Sequence, residues 1–433
     1  MLDIKLIREN PELVRENLKK RFQNDKIVLV DKIKRLDEEW RGLKYKADGL
    51  RSERNKVSEE INKAKKSKDK KKFDKLIKKA KEIPGLIEKL EEKTKKLSDE
   101  IKRILGQIPN ILHGSVPIGK DESENVEIKK IGNPPKFDFK IKNHVNLGEN
   151  LKILDFSRSA KVAGKGFYYL RGDLALLNQA LIKFAVDFMN EKGYVYIEPP
   201  LMLRKEILLA AADFETLKNS IYDLKDEDLS LIGTSEYSLL GMHADELFRE
   251  KDLPKKYFSY TMCFRREIGS HGVNEKGLYR THQFNKVEQF VFCRPEDSYK
   301  HYEELMNNSI ELYKKLEIPI RIVEMCSGDL APWKAKSSDL EFWRPTTKKY
   351  EEAGSLTNCT DYQARNLNIR LEKFNGEKQA VHTLNNTVIA TSRALIAIME
   401  NNQQKDGSIK IPKALWPYMN GKKKIEKVIK KFK

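Results

Sequence analysis

Apolar residues recur at alternating spacings of three and four in two long stretches, and this seam constrains the fold more than any other feature. The first stretch runs from Ile33 to Ala64 and the second from Phe73 to Ile108. Such heptad spacing is typical of helices that pack along one stripe. Residues 65–72 between the stretches are almost wholly polar. The pattern therefore predicts two helices that fold back as an antiparallel coiled-coil hairpin.

Each predicted helix has roughly 36 residues and would be about 54 Å long at about 1.5 Å per residue. Pro84 and Gly85 interrupt the second helix. Pro removes a backbone donor and clashes with the preceding turn, so we expect a bend there and not a domain boundary.

The formal net charge of +19 is concentrated at two places. Residues 61–81, around the polar tip, hold eleven lysines against Asp69 and Asp74, and residues 422–433 hold seven lysines against Glu426. A polyanionic partner approached at two places explains this distribution better than general solubility does. A solvated lysine face on an exposed helix stays open as an alternative.

The second half of the chain has a different organisation. Residues 106–150 are rich in Gly, Pro and Asn, which is typical of a linker. Short strand-like runs then alternate irregularly with helical stretches, for example at Tyr257–Arg265 and Glu288–Cys293, and a final helix is predicted to begin near Asn386. This order favours a mixed, mainly antiparallel sheet flanked by helices, and hence an α+β fold.

The spacing of the cysteines and the length of the apolar runs argue against a zinc protein, a disulfide-rich protein and a membrane protein. The four cysteines are scattered and have no nearby His at metal-ligand spacing, so we expect neither zinc nor a disulfide framework. The longest apolar runs are too short to span a membrane. We therefore expect a protein of the reducing cytoplasm without membrane association. The cysteines are Cys263, Cys293, Cys326 and Cys359.

Two segments of the chain give the clearest indication of a binding site. They are Cys263-Phe264-Arg265-Arg266-Glu267 and, after a loop, Arg280-Thr281-His282-Gln283-Phe284, with Glu288 following. An Arg, a Glu and a Phe on two neighbouring strands can hold the phosphate, the base edge and the base face of one nucleotide. The pattern predicts an ATP site without a glycine-rich phosphate loop.

These segments resemble motif 2 of the class II aminoacyl-tRNA synthetases, and their detailed order resembles the seryl-tRNA synthetase family. Residues 193–201 are similar to motif 1, which forms the dimer interface in that class, and residues 383–393 are similar to motif 3. Residues 339–343 and 350–365 resemble signature stretches of the same family. The resemblance extends from the N-terminus to about residue 420.

The resemblance implies a homodimer that uses ATP and Mg²⁺ to form seryl-adenylate and then charges serine tRNA, and selenocysteine tRNA where one is present. It implies an N-terminal tRNA-binding domain at 1–108, with its arm at about 31–108. The linker and the start of the catalytic domain would lie at 109–150, the class II catalytic domain at 151–420 and a basic tail at 421–433.

Activation of an amino acid brings its carboxylate against the α-phosphate of ATP, and the two anions repel until positive charge intervenes. Arg265 is the candidate for the α-phosphate and Arg393 for the γ-phosphate, because a guanidinium fork matches phosphate oxygens. A surface ion pair is the alternative for either residue. The resemblance implies that Phe284 stacks on adenine and that Glu267 binds near its amino group.

The resemblance also implies the remaining ligands. Glu352 and Ser355 would hold Mg²⁺, for which hard oxygen donors are suitable. The predicted ATP site comprises Arg265, Arg266, Glu267, Thr281, Phe284, Glu352, Ala353, Gly354, Ser355 and Arg393. The predicted serine site comprises Thr234, Glu236, Arg265, Glu288, Asn385 and Thr387. The predicted tRNA contacts are Lys65, Lys66, Lys70, Lys71 and Lys72.

A carboxylate and a hydroxyl together can recognise both an ammonium group and a small hydroxyl, whereas an apolar pocket hardly separates serine from alanine. Structural roles are the alternatives: a helix cap for Thr234, a salt-bridge partner for Glu288 and a packed helix residue for Thr387.

Two other functions fit part of the pattern. A synthetase-like ligase that charges a carrier protein would keep the activation residues, but known relatives of that kind lack the long arm. A non-catalytic scaffold that binds RNA would keep the hairpin and lose the site. Against the scaffold, the chain keeps Arg265, Glu267, Glu288, Glu352 and Arg393.

Overall fold

The computed structural model describes residues 1–212, 217, 219–267 and 277–427. It divides into two compact units, Met1–Pro109 and Asn110–Lys433. The helices are α1 (Ile4–Glu9), α2 (Pro11–Lys20), α3 (Ile27–Lys66), α4 (Lys70–Leu105), α5 (His144–Leu151), α6 (Phe156–Ala163), α7 (Asp173–Glu191), α8 (Lys205–Ala211), α9 (Glu236–Gly241), α10 (Ser298–Lys315), α11 (Tyr362–Asn366) and α12 (Thr391–Asn401).

The second unit contains 17 described strands. They are β1 (Val126–Ile131), β2 (Leu154–Asp155), β3 (Tyr169–Leu170), β4 (Val195–Tyr196), β5 (Met202–Arg204), β6 (Leu229–Leu231), β7 (Leu247–Arg249), β8 (Lys255–Phe264), β9 (Gln283–Cys293), β10 (Ile320–Glu324), β11 (Lys336–Arg344), β12 (Lys349–Thr360), β13 (Arg370–Glu372), β14 (Lys378–Ala380), β15 (His382–Ala390), β16 (Ile409–Lys410) and β17 (Lys424–Ile425). The longest of them are β8, β9, β11, β12 and β15.

The first unit contains the predicted hairpin, which is confirmed. Helix α3 has 40 residues and begins at Ile27, somewhat before the predicted start of the arm, and α4 has 36 residues and continues through Pro84. Apolar seam residues from both helices form a buried cluster between them, as heptad spacing requires. Its buried members are Val57, Ala64, Leu76, Ile83 and Ile87.

Polar contacts keep the two helices of the hairpin in one register. Arg51 binds Glu91 at 2.6 Å and Lys32 binds Glu100 at 2.8 Å. At the tip, the carboxylate of Asp69 accepts a hydrogen bond from the Lys72 backbone N–H at 3.0 Å and so caps the start of α4.

The second unit is built on an eight-stranded sheet in the order β1-β10-β11-β12-β15-β9-β8-β4. Neighbouring strands are antiparallel except for β4, which runs parallel to β8. Helices α7 and α12 contact each other and the sheet, and α10 contacts β12 and β15. The predicted mixed, mainly antiparallel sheet with flanking helices is therefore confirmed.

The position of the last helix differs from the prediction. The sequence predicts its start near Asn386, whereas β15 extends to Ala390 and α12 begins at Thr391. Strand β15 pairs with β12 on one side and with β9 on the other. Its β-branched residues suit a central strand, since they fit a pleated and buried surface.

In the part of the chain that the structure describes, no helix is both long and apolar enough to pass through a bilayer. The four cysteines are free thiols with buried side chains. Of the basic tail, residues 421–427 are described and include β17, which pairs with β16. Residues 428–433 lie outside the described residues.

Candidate active site

A cavity of about 420 Å³ opens above the centre of the sheet. It gathers residues from β9, β11, β12 and β15, from the segment just after β8 and from the start of α12. Among its lining residues are Thr234, Glu236, Arg265, Glu267, Thr281, Phe284, Glu288, Glu352, Ala353, Gly354, Ser355, Asn385, Thr387 and Arg393. The structure thus brings together every residue predicted for ATP, serine or metal except Arg266, whose side chain is exposed and is not among the lining residues.

One end of the cavity holds a buried polar cluster around Glu288. Thr387 lies opposite Glu288 on the neighbouring strand, and its hydroxyl donates to Glu288 Oε2 at 3.2 Å. Lys286 Nζ lies 2.8 Å from the same oxygen and donates to Thr234 Oγ1 at 2.6 Å. A carboxylate, two hydroxyls and an ammonium group therefore meet within hydrogen-bonding distance.

Glu236 lines the same end of the cavity from the start of α9. Its Oε1 accepts a hydrogen bond from Gln363 Nε2 at 2.7 Å, and Gln363 is in turn bound by the Thr383 hydroxyl at 2.8 Å. Burial raises the pKa of Glu236 to about 7, and the nearby Glu288 carboxylate adds to this effect. A cationic ligand at this end would favour the ionised form.

Two arginines present positive charge to the rest of the cavity. Arg265 Nε donates to the Gly233 carbonyl at 3.1 Å, and its guanidinium lies 5.3 Å from the centre of the Phe284 ring. Arg393 binds Glu352 Oε1 at 2.9 Å and lies 4.9 Å from the centre of the Tyr279 ring. These contacts hold both guanidinium groups in the wall of the cavity, where they can bind an anionic ligand.

Strands β11 and β12 supply oxygen atoms to the cavity. Asp339 lies opposite Ser355 in register, and its Oδ1 is buried without a hydrogen-bond partner among the described residues. Burial, followed by repulsion from Glu352, raises the pKa of Asp339 to about 7. A cation between these groups would relieve the repulsion, and hard oxygen donors suit Mg²⁺.

Metal ligation by acidic, His or Cys side chains alone is not indicated. Within the described ranges, no group of three or more such side chains is placed to hold a metal ion. A magnesium site here would therefore need the Ser355 hydroxyl and ligands from the substrate in addition to carboxylates.

Gly354 permits the close approach of β12 to the Glu288 cluster. A Cβ at this position would lie 2.6 Å from Thr387 Cβ, which is far closer than two carbon atoms approach without displacement. A side chain at Gly354 would push Thr387 away from Glu288. The residue type is thus set by the packing of the site.

Some lining residues were missed by the sequence reasoning. Lys286 lies two residues before Glu288 on β9, so both face the same side of the sheet, and that spacing could have identified it. Asp339 and Lys334 lie on or beside β11, a strand that the sequence did not predict. Tyr279 lies just before β9 and carries no signal of its own.

The predicted tRNA contacts lie together in the first unit. Lys65 and Lys66 end α3, and Lys70, Lys71 and Lys72 begin α4. All five side chains are exposed. The tip of the hairpin therefore offers a cluster of positive charge to solvent.

Comparison with known proteins first defines the class. Residues 217–402 match the family model of the tRNA synthetase class II core domain (G, H, P, S and T), and these residues contain most of the central sheet and every residue that lines the cavity. This part of the chain is therefore the core domain of a class II tRNA synthetase.

Further matches define the family. Residues 1–112 match the model of the seryl-tRNA synthetase N-terminal domain. The chain is 47% identical to the serine–tRNA ligase of Methanospirillum hungatei, covering 98% of this chain and 99% of that protein. The chain therefore belongs to the seryl-tRNA synthetase family.

Solved structures agree with this assignment. The seryl-tRNA synthetase of Pyrococcus horikoshii, complexed with ATP, is 45% identical with a TM-score of 0.92, covering 99% of this chain and 100% of that one. The cytoplasmic serine–tRNA ligase of Naegleria fowleri, in complex with AMP, is 36% identical with a TM-score of 0.88, covering 99% of both chains.

Proposed function

We propose that the protein activates serine with ATP, forming seryl-adenylate and pyrophosphate, and transfers the seryl group to the 3′ end of serine tRNA. Selenocysteine tRNA, where one is present, would be charged in the same way. One observation carries the proposal: a single cavity combines two arginines suited to a triphosphate with a buried cluster of carboxylate and hydroxyl groups suited to serine.

In the first step, the serine carboxylate attacks the α-phosphate and pyrophosphate leaves. Arg265 would offset the charge of both reacting groups, and Arg393 would bind the γ-phosphate. Arg393 pairs with Glu352 at 2.9 Å in the structure, so the phosphates compete with Glu352 for this guanidinium. No general base is required of the protein, because the attacking carboxylate is already ionised.

Mg²⁺ would be held by Glu352 and Ser355, and when bound it supplies positive charge against the triphosphate. The adenine would lie on Phe284, with Glu267 near its amino group. Thr281, Ala353 and Gly354 also line the cavity. Arg266 would reach the nucleotide from the rim of the cavity.

Serine would be selected by the cluster around Glu288. Glu288 and Thr387 would bind the side-chain hydroxyl, while Thr234 and Glu236 would bind the ammonium group; Asn385 completes the wall. Alanine would leave buried polar groups unpaired, which costs more than the loss of a favourable contact. Lys286 neutralises Glu288 and holds it in place.

We also propose how the rest of the chain takes part. Residues 1–108 would bind tRNA through the hairpin and its tip lysines, the catalytic domain would span 151–420 after a connecting segment at 109–150, and 421–433 would form a basic tail. Two copies would associate through residues 193–201, where Val195 and Tyr196 are 56% and 37% exposed on the last strand of the sheet. The enzyme would act in the cytoplasm.

The test is ATP–pyrophosphate exchange by the purified protein without tRNA. Serine should support exchange, and threonine and alanine should support much less. The Glu288→Gln variant should raise the KM for serine roughly tenfold or more while changing the KM for ATP little, because it removes a buried charged hydrogen-bond acceptor.

Glu304→Gln provides a matched control, because Glu304 binds Lys256 at 2.8 Å and does not line the cavity. A comparable exchange rate with another amino acid would overturn the substrate assignment. Equal loss of serine and ATP binding in Glu288→Gln would assign Glu288 to the structure of the sheet.

A further inference from the structure

A buried histidine connects α5 with the wall of the cavity. His144 is 1% exposed, and its Nδ1 lies 3.0 Å from Glu400 Oε1. The His144 backbone N–H donates to the same oxygen at 3.1 Å, and Arg344 Nε donates to it at 3.2 Å. Burial alone would raise the pKa of Glu400, but His144 and Arg344 hold it below its ordinary value. Glu400 is thus an ionised acceptor, so Nδ1 of His144 carries the proton.

The other ring nitrogen of His144 is then an acceptor. The Leu278 backbone N–H donates to Nε2 at 3.1 Å, and the Leu278 side chain is fully buried. Gly277, the preceding residue, has a φ of +138°, and a Cβ there would overlap the imidazole ring. Glycine therefore allows the chain to lie against His144 in a conformation that other residues rarely adopt.

The chain leads from this contact directly into the proposed ATP site. Tyr279 follows Leu278, and its ring lies 4.9 Å from the Arg393 guanidinium. The Tyr279 hydroxyl donates to the Glu352 carbonyl at 3.5 Å. The position of Leu278 therefore determines where Tyr279 lies, and Tyr279 contacts the two residues proposed to handle the γ-phosphate and Mg²⁺.

We propose that His144 is a positioning residue for ATP: its Nε2 fixes the Leu278 N–H and thereby holds Tyr279 beneath Arg393. His144 does not line the cavity, so it acts through the chain that it anchors and not on the substrate. The inference rests on the proposed assignment of the cavity as an ATP site.

Two substitutions separate the two hydrogen bonds of the ring. In His144→Gln, the side-chain carbonyl can take the place of Nε2 and accept from Leu278. In His144→Asn, the shorter amide can replace Nδ1 as donor to Glu400 but does not reach Leu278. We expect His144→Asn to raise the KM for ATP about tenfold in pyrophosphate exchange, with a smaller change in the KM for serine. His144→Gln should stay close to the unsubstituted protein.

His301→Asn is the matched control. His301 is also buried, and its Nδ1 lies 2.9 Å from Glu304 Oε2, but it is not among the residues that line the cavity. This variant should leave the KM for ATP unchanged. Gly277→Ala gives a second route to the same result if His144→Asn folds poorly. The added methyl group displaces the chain from the ring while the contacts between His144 and Glu400 remain, so the KM for ATP should again rise.

Hydrogen exchange of the Leu278 amide gives a readout that needs no catalysis. Exchange should be faster in His144→Asn and close to unsubstituted in His144→Gln. Equal effects of the two substitutions on the KM for ATP, or an unchanged Leu278 exchange rate in His144→Asn, would overturn the proposal. If the unsubstituted protein fails to catalyse serine-dependent exchange, the proposed function is wrong, while the amide measurement still tests the anchoring contact.

Discussion

The hairpin and the cavity are built from the chain in opposite ways. The hairpin repeats one local pattern along α3 and α4, and its lysines at the tip are exposed side by side. The cavity draws residues from Ser220 to Arg393, and it contains charged side chains that pair with one another, Lys286 with Glu288 and Arg393 with Glu352. Exposed charges act almost independently because solvent screens them, whereas buried charges depend on their partners. Single substitutions should therefore have small effects in the hairpin and large ones in the cavity.

The largest effect is expected for the two arginines of the cavity. Arg265→Ala and Arg393→Ala should each lower the rate of serine activation by at least about a hundredfold, because each removes positive charge from the transition state. The thermal midpoint should change little. Pyrophosphate exchange and thermal unfolding measure the two quantities.

Arg249→Ala is the control for these two variants, since Arg249 forms an exposed pair with Asp252 at 2.7 Å. It should leave activation unchanged. An arginine variant that unfolds, instead of losing activity as a folded protein, would show that the arginine serves mainly as an ion-pair partner.

A graded effect is expected at the tip of the hairpin. Binding of phosphates by lysine releases counterions, so tRNA affinity should fall steeply with salt. Neutralising Lys65, Lys66, Lys70, Lys71 and Lys72 together should lower the slope of log affinity against log salt by up to about 4. Each single neutralisation should remove less than about 1 from the slope.

The control for the tip lysines is the same charge change elsewhere on α4. It neutralises the exposed residues Lys89, Lys93, Lys95, Lys96 and Lys102. This variant should flatten the salt dependence less. If removal of residues 421–433 weakens tRNA binding more than the tip variant does, the basic tail and not the hairpin tip is the main contact with tRNA.

A pH-dependent effect is expected for Glu236 in the cavity. The folded pKa is raised to about 7 from the ordinary 4.5, so the neutral form is favoured in the empty site. The contribution of Glu236 to the free energy of unfolding is complete below the ordinary pKa of 4.5. This contribution is lost as the pH rises through about 7. In the proposed role of Glu236, serine binding would have the opposite pH dependence, because the ammonium group would pair with the ionised carboxylate.

The KM for serine should therefore rise by up to about tenfold per pH unit as pH falls below about 7. Glu236→Gln should bind serine weakly at every pH, and it should be the more stable protein at alkaline pH. If the Glu236→Gln variant keeps the full pH dependence of the KM for serine, the group that titrates is not Glu236.

The hairpin could be predicted closely because each turn of its helices repeats the same signal. The candidate site residues could be listed because motif 2, motif 3 and the stretch at 350–365 are short and local patterns. The late start of α12 could not be predicted, since β15 is buried on both faces along most of its length and lacks the alternation that identifies a strand. Strand β11 could not, since it begins with the polar run Lys336–Asp339, which lacks the β-branched and aromatic residues typical of strands. The pairing of Lys286 with Glu288 and Thr234, and the anchoring of Leu278 by His144, depend on contacts between distant segments.

The central claim is that the cavity activates serine by itself and that the hairpin serves only tRNA. A protein in which a short linker replaces residues 33–104 tests this claim most directly, with pyrophosphate exchange and serine tRNA charging measured on one preparation. We predict serine-dependent exchange at close to the intact rate and loss of efficient charging. Loss of exchange in a protein that is still folded, or charging that survives without the hairpin, would contradict the account.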